Sequence, residues 1–487
     1  MKSIGMKWGV ALLIVPLFAA GCANFGKQEV PDRSAATLGI TESDRFSGAQ
    51  GAPVPAPGDL TWWRRFDDPA MAQWVERALA ANADIAIAVE RVEQARALLQ
   101  SARAQRSPFV GAQASTDVTL KRDRGERRVQ PGAALTLELD TDLWGGLRAA
   151  ERAAAAGVLR SEDLVQAARL SVAGLTARAY VEWRAALADR SLLDDALALQ
   201  GDALRVVTVR VDAGISPVLD RDRAQAEVAD TEADRAAADV RVTQALAALL
   251  VLAGEPPHSD TLRTASLSAP AQNPSAKSSY DASSAWTDMG LPTLIGEQPV
   301  ARPLDLLRLR PDLRAAEHAL VAAAADIGVA EAALRPRLRI PGALVFGGAV
   351  AGGGLLELGS AVIAAVLEVT VFDGGAAAAG VDAARSRMRE ATQVYRQTLL
   401  QALQQVESAL AAQQGARRRI DARARGITAA RAAEAQAQTL YRAGLVGYLD
   451  VVDAQRSALA NERELLQAQA DDAAASVLAF EAMGLIE

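Results

Sequence analysis

The chain has 487 residues, 52 basic against 59 acidic side chains, a formal charge of −7, and aromatics at only 4 %. That balance disfavours nucleic acid as a partner. Two His (His258, His318) and one Cys (Cys22) exclude an intrachain disulfide, a zinc site and a Cys/His catalytic set.

Met1 to Ala20 carries Lys2 and Lys7, an apolar run from Trp8 to Phe18, and then small residues, which reads as a secretory signal peptide over 1–21. Its removal would leave 50 basic against 59 acidic side chains, a balance of −9. Ala19-Ala20-Gly21-Cys22 is similar to a bacterial lipobox, in which the Cys sulfur takes diacylglycerol and the new N-terminus an acyl chain such as palmitate. The alternative is an ordinary signal with an incidental Cys, but the single Cys sits where the lipid would go. Beyond that covalent lipid, no cofactor is expected. Ala23 stands where Asp would direct a lipoprotein to the inner membrane, so the expected destination is the outer one. Residues 22–58 are polar, then Gly/Ala/Pro-rich, and predict an extended tether.

The first folded repeat is expected over 59–254. Trp62-Trp63 and Phe66-Asp67-Asp68-Pro69 open it, with the tryptophans read as packing groups. One helix is predicted from 70 to 106, stopping before Pro108. Strands follow at about 109–120 and 131–143. Leu135, Leu137, Leu139 and Leu143 alternate with Thr136, Glu138, Asp140 and Asp142, a period of two. A soluble hairpin could bury that Leu face on a core. In a membrane barrel the Leu face meets lipid, and Glu138, Asp140 and Asp142 line a wet lumen. About ten residues per strand is a spanning length, and the lipoprotein-like start favours the barrel.

A helix over 147–213 contains no Pro and keeps Val165, Val172, Ala179, Ala186 and Leu193 seven apart. At that length it measures on the order of 100 Å. Gly214 turns the chain. Ser216 is placed to cap the helix over 217–253, with Pro217 at its first position. Ala226, Ala229, Ala233, Ala236, Val240, Thr243, Ala247 and Leu250 predict a close-packed heptad seam on it. Residues 255–300 are Ser/Pro/Ala-rich and read as a linker. The second repeat, 301–487, is expected to hold strands at about 337–350 and 361–373 and helices at 375–443 and 448–482, turning at Gly444. Gly214 and Gly444 lie 230 positions apart, Gly145 and Gly374 lie 229 apart, and Pro108 and Pro336 lie 228 apart. One spacing shared by three landmarks marks an internal duplication.

Two strands per repeat give four per chain. Four cannot close a membrane barrel, and lipid does not tolerate an open edge. Three chains would supply twelve strands. The expected fold is therefore mainly α with a transmembrane β-barrel, built from duplicated helix–strand–strand–helix halves and closed by several chains.

The chain resembles the TolC-type outer-membrane efflux proteins, and within them the NodT/OprM-like lipoproteins of RND efflux pumps. The resemblance runs from about residue 59 to 484. It rests on Trp62-Trp63 with Phe66-Asp67-Asp68-Pro69, Asp142-Leu143-Trp144-Gly145-Gly146, Leu306-Leu307-Arg308-Leu309-Arg310-Pro311-Asp312, Val371-Phe372-Asp373-Gly374-Gly375, and both glycine-centred turns. It implies a homotrimer with a twelve-stranded outer-membrane barrel on a twelve-helix periplasmic barrel. It also implies a periplasmic adaptor and an inner-membrane transporter, often of the proton-driven RND class, below the duct. By their place in the family's turns, Asp220, Asp450 and Asp453 resemble acids that ring the periplasmic aperture, and Tyr441 resembles a tyrosine of the closing network. Carboxylates around a narrow mouth repel one another, attract cations and weaken at high salt. The competing reading places Asp220 and Asp450 in first helical turns, where the dipole favours acids anyway. The family's basic partner would fall near Val446, which is not basic, so a latch here must differ or be absent. An enzyme has no supporting residues: Gly352-Gly353-Gly354 is followed by no Lys-Ser/Thr. The other readings are a pore-free coiled-coil spacer lipoprotein, a type I secretion duct, and a pump adaptor.

Overall fold

The computed structural model describes residues 45–47, 61–121, 126–258, 262, 290–296, 298, 300–347 and 357–485. The signal segment, Cys22 and most of the 22–58 tether and 255–300 linker lie outside the described residues, as do 348–356. Among the described residues the elements in order are α1 (Pro69–Ala81), α2 (Ala83–Ala104), β1 (Phe109–Lys121), β2 (Glu126–Asp140), α3 (Gly146–Asp212), α4 (Val218–Leu252), α5 (Pro311–Ala333), β3 (Arg337–Gly347), β4 (Glu357–Ile363), β5 (Val366–Glu368), α6 (Ala376–Arg442) and α7 (Tyr448–Ala482). Short 3-10 and helical turns at Trp62–Arg65, Pro303–Asp305 and Leu306–Leu309 complete them. α3 and α6 have 67 residues each, and α4 and α7 have 35 each. Every start and end of these helices is offset by 230 between the repeats.

Contacts divide the chain into two compact units. The first includes Val92–Ser161 and Ala315–Arg396. Its sheet is antiparallel in the order β1-β2-β3-β4, with β5 continuing on the same flank of β3 as it pairs Arg337–Arg339. The β2–β3 register, Gly132↔Gly347 to Asp140↔Arg339, joins the two repeats. Among the described residues, β1 and β4 each have one neighbour, so the sheet is four strands wide with two open edges. β2 starts earlier and ends earlier than its alternation predicted, because Asp142 takes φ 46° and leaves the ladder. Its carboxylate instead accepts the backbone N–H groups of Leu147 (2.8 Å) and Arg148 (3.1 Å), capping α3. Asp373 does the same for α6, accepting from Gly375 and Ala377 at 2.8 Å, which ends strand structure before 373. The expected 361–373 strand is thus two pieces, β4 and β5, separated at Ala364–Ala365. α3 and α5 cross closely: a Cβ on Gly146 would stand 2.7 Å from Ala332 Cβ.

The second unit includes Leu38–Arg91, Glu162–Arg314 and Gln397–Glu487. Trp62 stacks on Phe480 (5.4 Å between centroids, 12°), and Phe66 meets the same ring edge-on. Asp68 caps α1 through Ala70 and Met71 while Tyr180 donates its hydroxyl to it at 2.9 Å. Burial, and then the Asp68 charge, push the Tyr180 phenol well above its usual range. Arg310 forks onto Asp312 (3.0 and 2.6 Å) and donates to the Ala482 carbonyl at 2.7 Å, so the Arg310-Pro311-Asp312 stretch caps the end of α7. The single helix expected over 70–106 is broken at Asn82. Its side-chain oxygen accepts from Asp84 N (2.8 Å) and its amide donates to Leu252 O (2.9 Å), so it serves as an N-cap. The tether is also held at one point, for Phe46 is 5 % exposed and Ser47 N–H donates to Glu407.

Within this unit α6 buries two heptad rows, Ala402, Ala409, Ala416 and Ala430 beside Val406, Gln413, Ile427, Glu434 and Tyr441. α4 corrects the predicted seam. Of its positions Ala226, Ala229, Ala233, Ala236, Val240 and Thr243 are exposed, Ala247 is half-buried and Leu250 is buried, and the buried stripe runs through Ala224, Glu227, Thr231, Ala238, Val242, Ala245 and Leu249. Glu227 can sit inside because an arginine of α7 meets it, as described next.

Candidate functional site

Both long hairpins turn by the same local chemistry. Gly214 and Gly444 take φ +71° and +75°, a region that costs residues with a Cβ. Ile215 N–H then reaches Arg210 O (2.8 Å) and Gly214 N–H reaches Val211 O (2.9 Å). Leu445 and Gly444 repeat this on Leu440 O (2.9 Å) and Tyr441 O (3.0 Å). These paired bonds close the C-terminal carbonyls of α3 and α6. Ser216 does not cap α4 as predicted; the helix starts at Val218 with Pro217 as cap, and Ser216 Oγ accepts from Arg210 Nε at 3.4 Å.

The two turns share one apolar cluster of Val207, Ala224, Tyr441, Tyr448, Val451 and Val452, with Val446 packed against it. The Tyr441 and Tyr448 rings lie 5.5 Å apart. Val446, at the position of the family's basic partner, belongs to this apolar contact. The basic group comes from the other hairpin. Arg210 Nη1 donates to the backbone oxygens of Tyr441 (3.2 Å) and Arg442 (3.4 Å), and its guanidinium lies 4.8 Å from the Tyr441 ring centroid. It therefore bonds the last two carbonyls of α6, a second bond for Tyr441 O, and stacks on an aromatic face at once. The Tyr441 hydroxyl is buried with no hydrogen-bond partner among the described residues.

Next to the cluster, Arg456 of α7 donates Nε to Glu227 Oε2 of α4 at 2.7 Å. Glu227 is 5 % exposed. Tyr448 is pushed up to about 12 by burial first, then by the Glu227 charge, with Tyr441 and Asp220 adding to it. A second tie follows one heptad on, with Arg463 reaching Asp234 at 2.9 Å and Asp189 at 2.7 Å.

The expected gate acids divide between two environments. Asp220 is buried (8 % exposed) on the side of Tyr448. Asp450 and Asp453 are exposed, and Asp450 Oδ2 accepts Gly447 N–H at 3.1 Å in the first turn of α7. Asp450 thus has a capping contact as well as a free face. In the sheet, Glu138 accepts from Arg339 (3.0 Å), Arg339 also reaches Glu368 (3.0 Å), and Asp140 faces Arg337 at 3.7 Å. The strand acids form a mixed-charge face rather than an acidic one, and Asp142 is a helix cap outside it. Arg210, Tyr448, Glu227 and Arg456 went unnoticed in sequence. For the last pair the sequence holds one regularity, an acid and an arginine 229 positions apart that recurs seven residues on, Glu227 with Arg456 and Asp234 with Arg463.

Among the described residues no helix is long and apolar enough to cross a membrane. A family model described as outer membrane efflux protein matches residues 74–255 and 303–484. The solvent efflux pump outer membrane protein SrpC of Pseudomonas putida is 30 % identical over 356 residues, covering 71 % of this chain and 70 % of its own. Outer membrane protein OprJ of Pseudomonas aeruginosa is 29 % identical over 423 residues, covering 84 % and 82 %. The outer membrane channel MtrE of Neisseria gonorrhoeae, solved in its open state, matches with a TM-score of 0.77 at 26 % identity, covering 95 % of this chain and 97 % of that one.

Proposed function

Because the chain belongs to the outer membrane efflux protein family, we propose that it is the outer-membrane channel of a tripartite efflux pump. In this reading it is a passive homotrimeric duct that carries small toxic solutes or drugs across the periplasm and outer membrane. A periplasmic adaptor and an inner-membrane transporter of the RND class dock to it, and the transporter supplies the energy. The observation that carries the reading is the four-strand-wide sheet with open edges at β1 and β4. Such edges cannot stand in lipid, and three copies joined edge to edge give a closed twelve-stranded barrel. The exposed stripe Ala226, Ala229, Ala233 and Ala236 on α4 supports the same assembly, since its small side chains suit close approach of a neighbouring helix. A pore-free spacer needs neither feature.

The periplasmic end of the duct is the pair of turns. Arg210 and the packing of Val207 and Ala224 against Tyr441 and Tyr448 hold the two hairpins of one protomer together, and Asp450 and Asp453 present carboxylates at the mouth. Opening separates the hairpins at this clasp. Cys22 carries diacylglycerol and an N-acyl chain that add an anchor in outer-membrane lipid. Electron microscopy of the detergent-extracted mature protein tests the duct: hollow three-fold particles are expected, and solid rods or monomeric globules would overturn it. Mass spectrometry of the mature N-terminus tests the lipid.

A further inference from the structure

One heptad away from the apolar cluster at the turns, each contributing helix becomes polar. Gln200 precedes Val207 by seven residues, Glu434 precedes Tyr441 by seven, and Gln455 follows Tyr448 by seven. With Arg431, Glu462 and Asp195 they line a cavity of about 260 Å³ between α3, α6 and α7. Gln200 is 4 % and Gln455 is 6 % exposed. Gln200 Oε1 and both amide atoms of Gln455 are buried and make no hydrogen bond among the described residues. Buried amides left in that condition are costly in a helical seam, where a Leu or Ala would serve.

The charges around the cavity do not balance either. Arg431 donates to Glu434 at 3.1 Å and pairs with Glu462, one guanidinium against two carboxylates. Burial pushes the Glu462 carboxyl up, the Glu434 and Asp195 charges add to this, and Arg431 opposes it. Leu199, Leu459 and Ala458 supply apolar wall, and Asp195 and Leu199 are exposed at the rim.

We propose that this cavity binds a small protonated primary amine. An ammonium head brings one positive charge and three N–H donors. Gln200 Oε1, Gln455 Oε1 and a carboxylate oxygen supply acceptors for them, and a short alkyl stem lies along the leucines. An anion is disfavoured by the excess of carboxylates. Among the described residues no group of three or more His, Cys, Asp or Glu side chains could hold a metal ion. A quaternary ammonium carries the charge but no N–H, so it cannot satisfy the amide oxygens.

The test is calorimetric titration of the full mature chain in detergent with 1,4-diaminobutane at constant ionic strength, with tetramethylammonium as the comparison cation. Saturable binding is expected, at least about tenfold weaker for tetramethylammonium and at least about tenfold weaker in Gln455→Met, the loss of one charge-assisted hydrogen bond. The proposal is overturned by no saturable heat, by equal affinity for the two cations, or by a folded Gln455→Met that binds as the parent does. Should Gln455→Met fail to fold, Glu462→Gln keeps the shape, removes one charge and carries the same expectation.

Discussion

Arg456 and Glu227 stand 229 positions apart in the chain, and their side chains meet at 2.7 Å, Nε to Oε2. The interval is one residue short of the 230 that separates α4 from α7, and Arg463 and Asp234 repeat it at 2.9 Å. α4 and α7 therefore run side by side and parallel, each acid meeting the arginine one position before its own counterpart. The opposite charges on the two helices give the two repeats a mutual preference that identical repeats would lack.

Removing the cation of this pair leaves Glu227 buried without its partner. Arg456→Met is expected to destabilise the fold by about 1–3 kcal/mol. Glu227→Gln in the same background should recover much of that loss. Thermal melts of the single and double variants measure it; equal melting of Arg456→Met and the parent would show the pair to be idle.

Arg210 bonds two carbonyls of the opposite hairpin and stacks on Tyr441. Arg210→Ala should raise single-channel conductance in planar bilayers, while Arg210→Lys, which keeps the charge but not the planar fork, should fall between. A closed-state conductance unchanged in Arg210→Ala trimers would remove the clasp.

Substitution of Asp450 and Asp453 by Ala should raise ion conductance if the two acids gate. Asp450 also accepts Gly447 N–H, so a change to Ala removes a cap together with a charge. Asp450→Asn with Asp453→Asn separates the two effects, since the amide oxygen can still accept. That variant should lose cation preference, and with it most of the salt dependence of the mouth. Reversal potentials under a KCl gradient read the outcome.

Tyr448 gives a pH signature. Its phenol is raised from 10 to about 12, chiefly by burial. A raised folded value means that the proton is held more tightly in the fold than in the open chain. The associated stability is complete below about pH 10 and is lost as pH rises through about 12, amounting to roughly 2–3 kcal/mol for a group this buried. Tyr448→Phe should not show this alkaline loss; parallel alkaline unfolding curves for the two proteins would contradict the assignment.

The mainly helical, duplicated fold with an antiparallel sheet is legible in the sequence. Periodicity carries that much: seven-residue spacing from Val165 to Leu193 in a Pro-free stretch reads as a long helix, and alternation at Leu135–Leu139 reads as a strand. Glycine at 214 and 444 marked the turns because few other residues take that backbone. The sequence by itself also determined the register of the repeats, through landmarks about 230 apart.

Which face of a helix turns inward was a different matter. α4 carries two stripes at heptad spacing, and composition alone favoured the alanines. The buried one contains Glu227 and Thr231, because Arg456 waits on α7 to neutralise the acid. A local pattern has no term for a partner 229 residues away. The same holds for Asp142, whose alternation matched a strand until the N–H groups of α3 offered better acceptor work, and for Arg210, whose carbonyl partners exist only once α6 ends beside it. Period and turn chemistry act within one segment and are written in it. Burial of charge and the satisfaction of helix ends depend on what the next segment brings, and only the tertiary structure decided those.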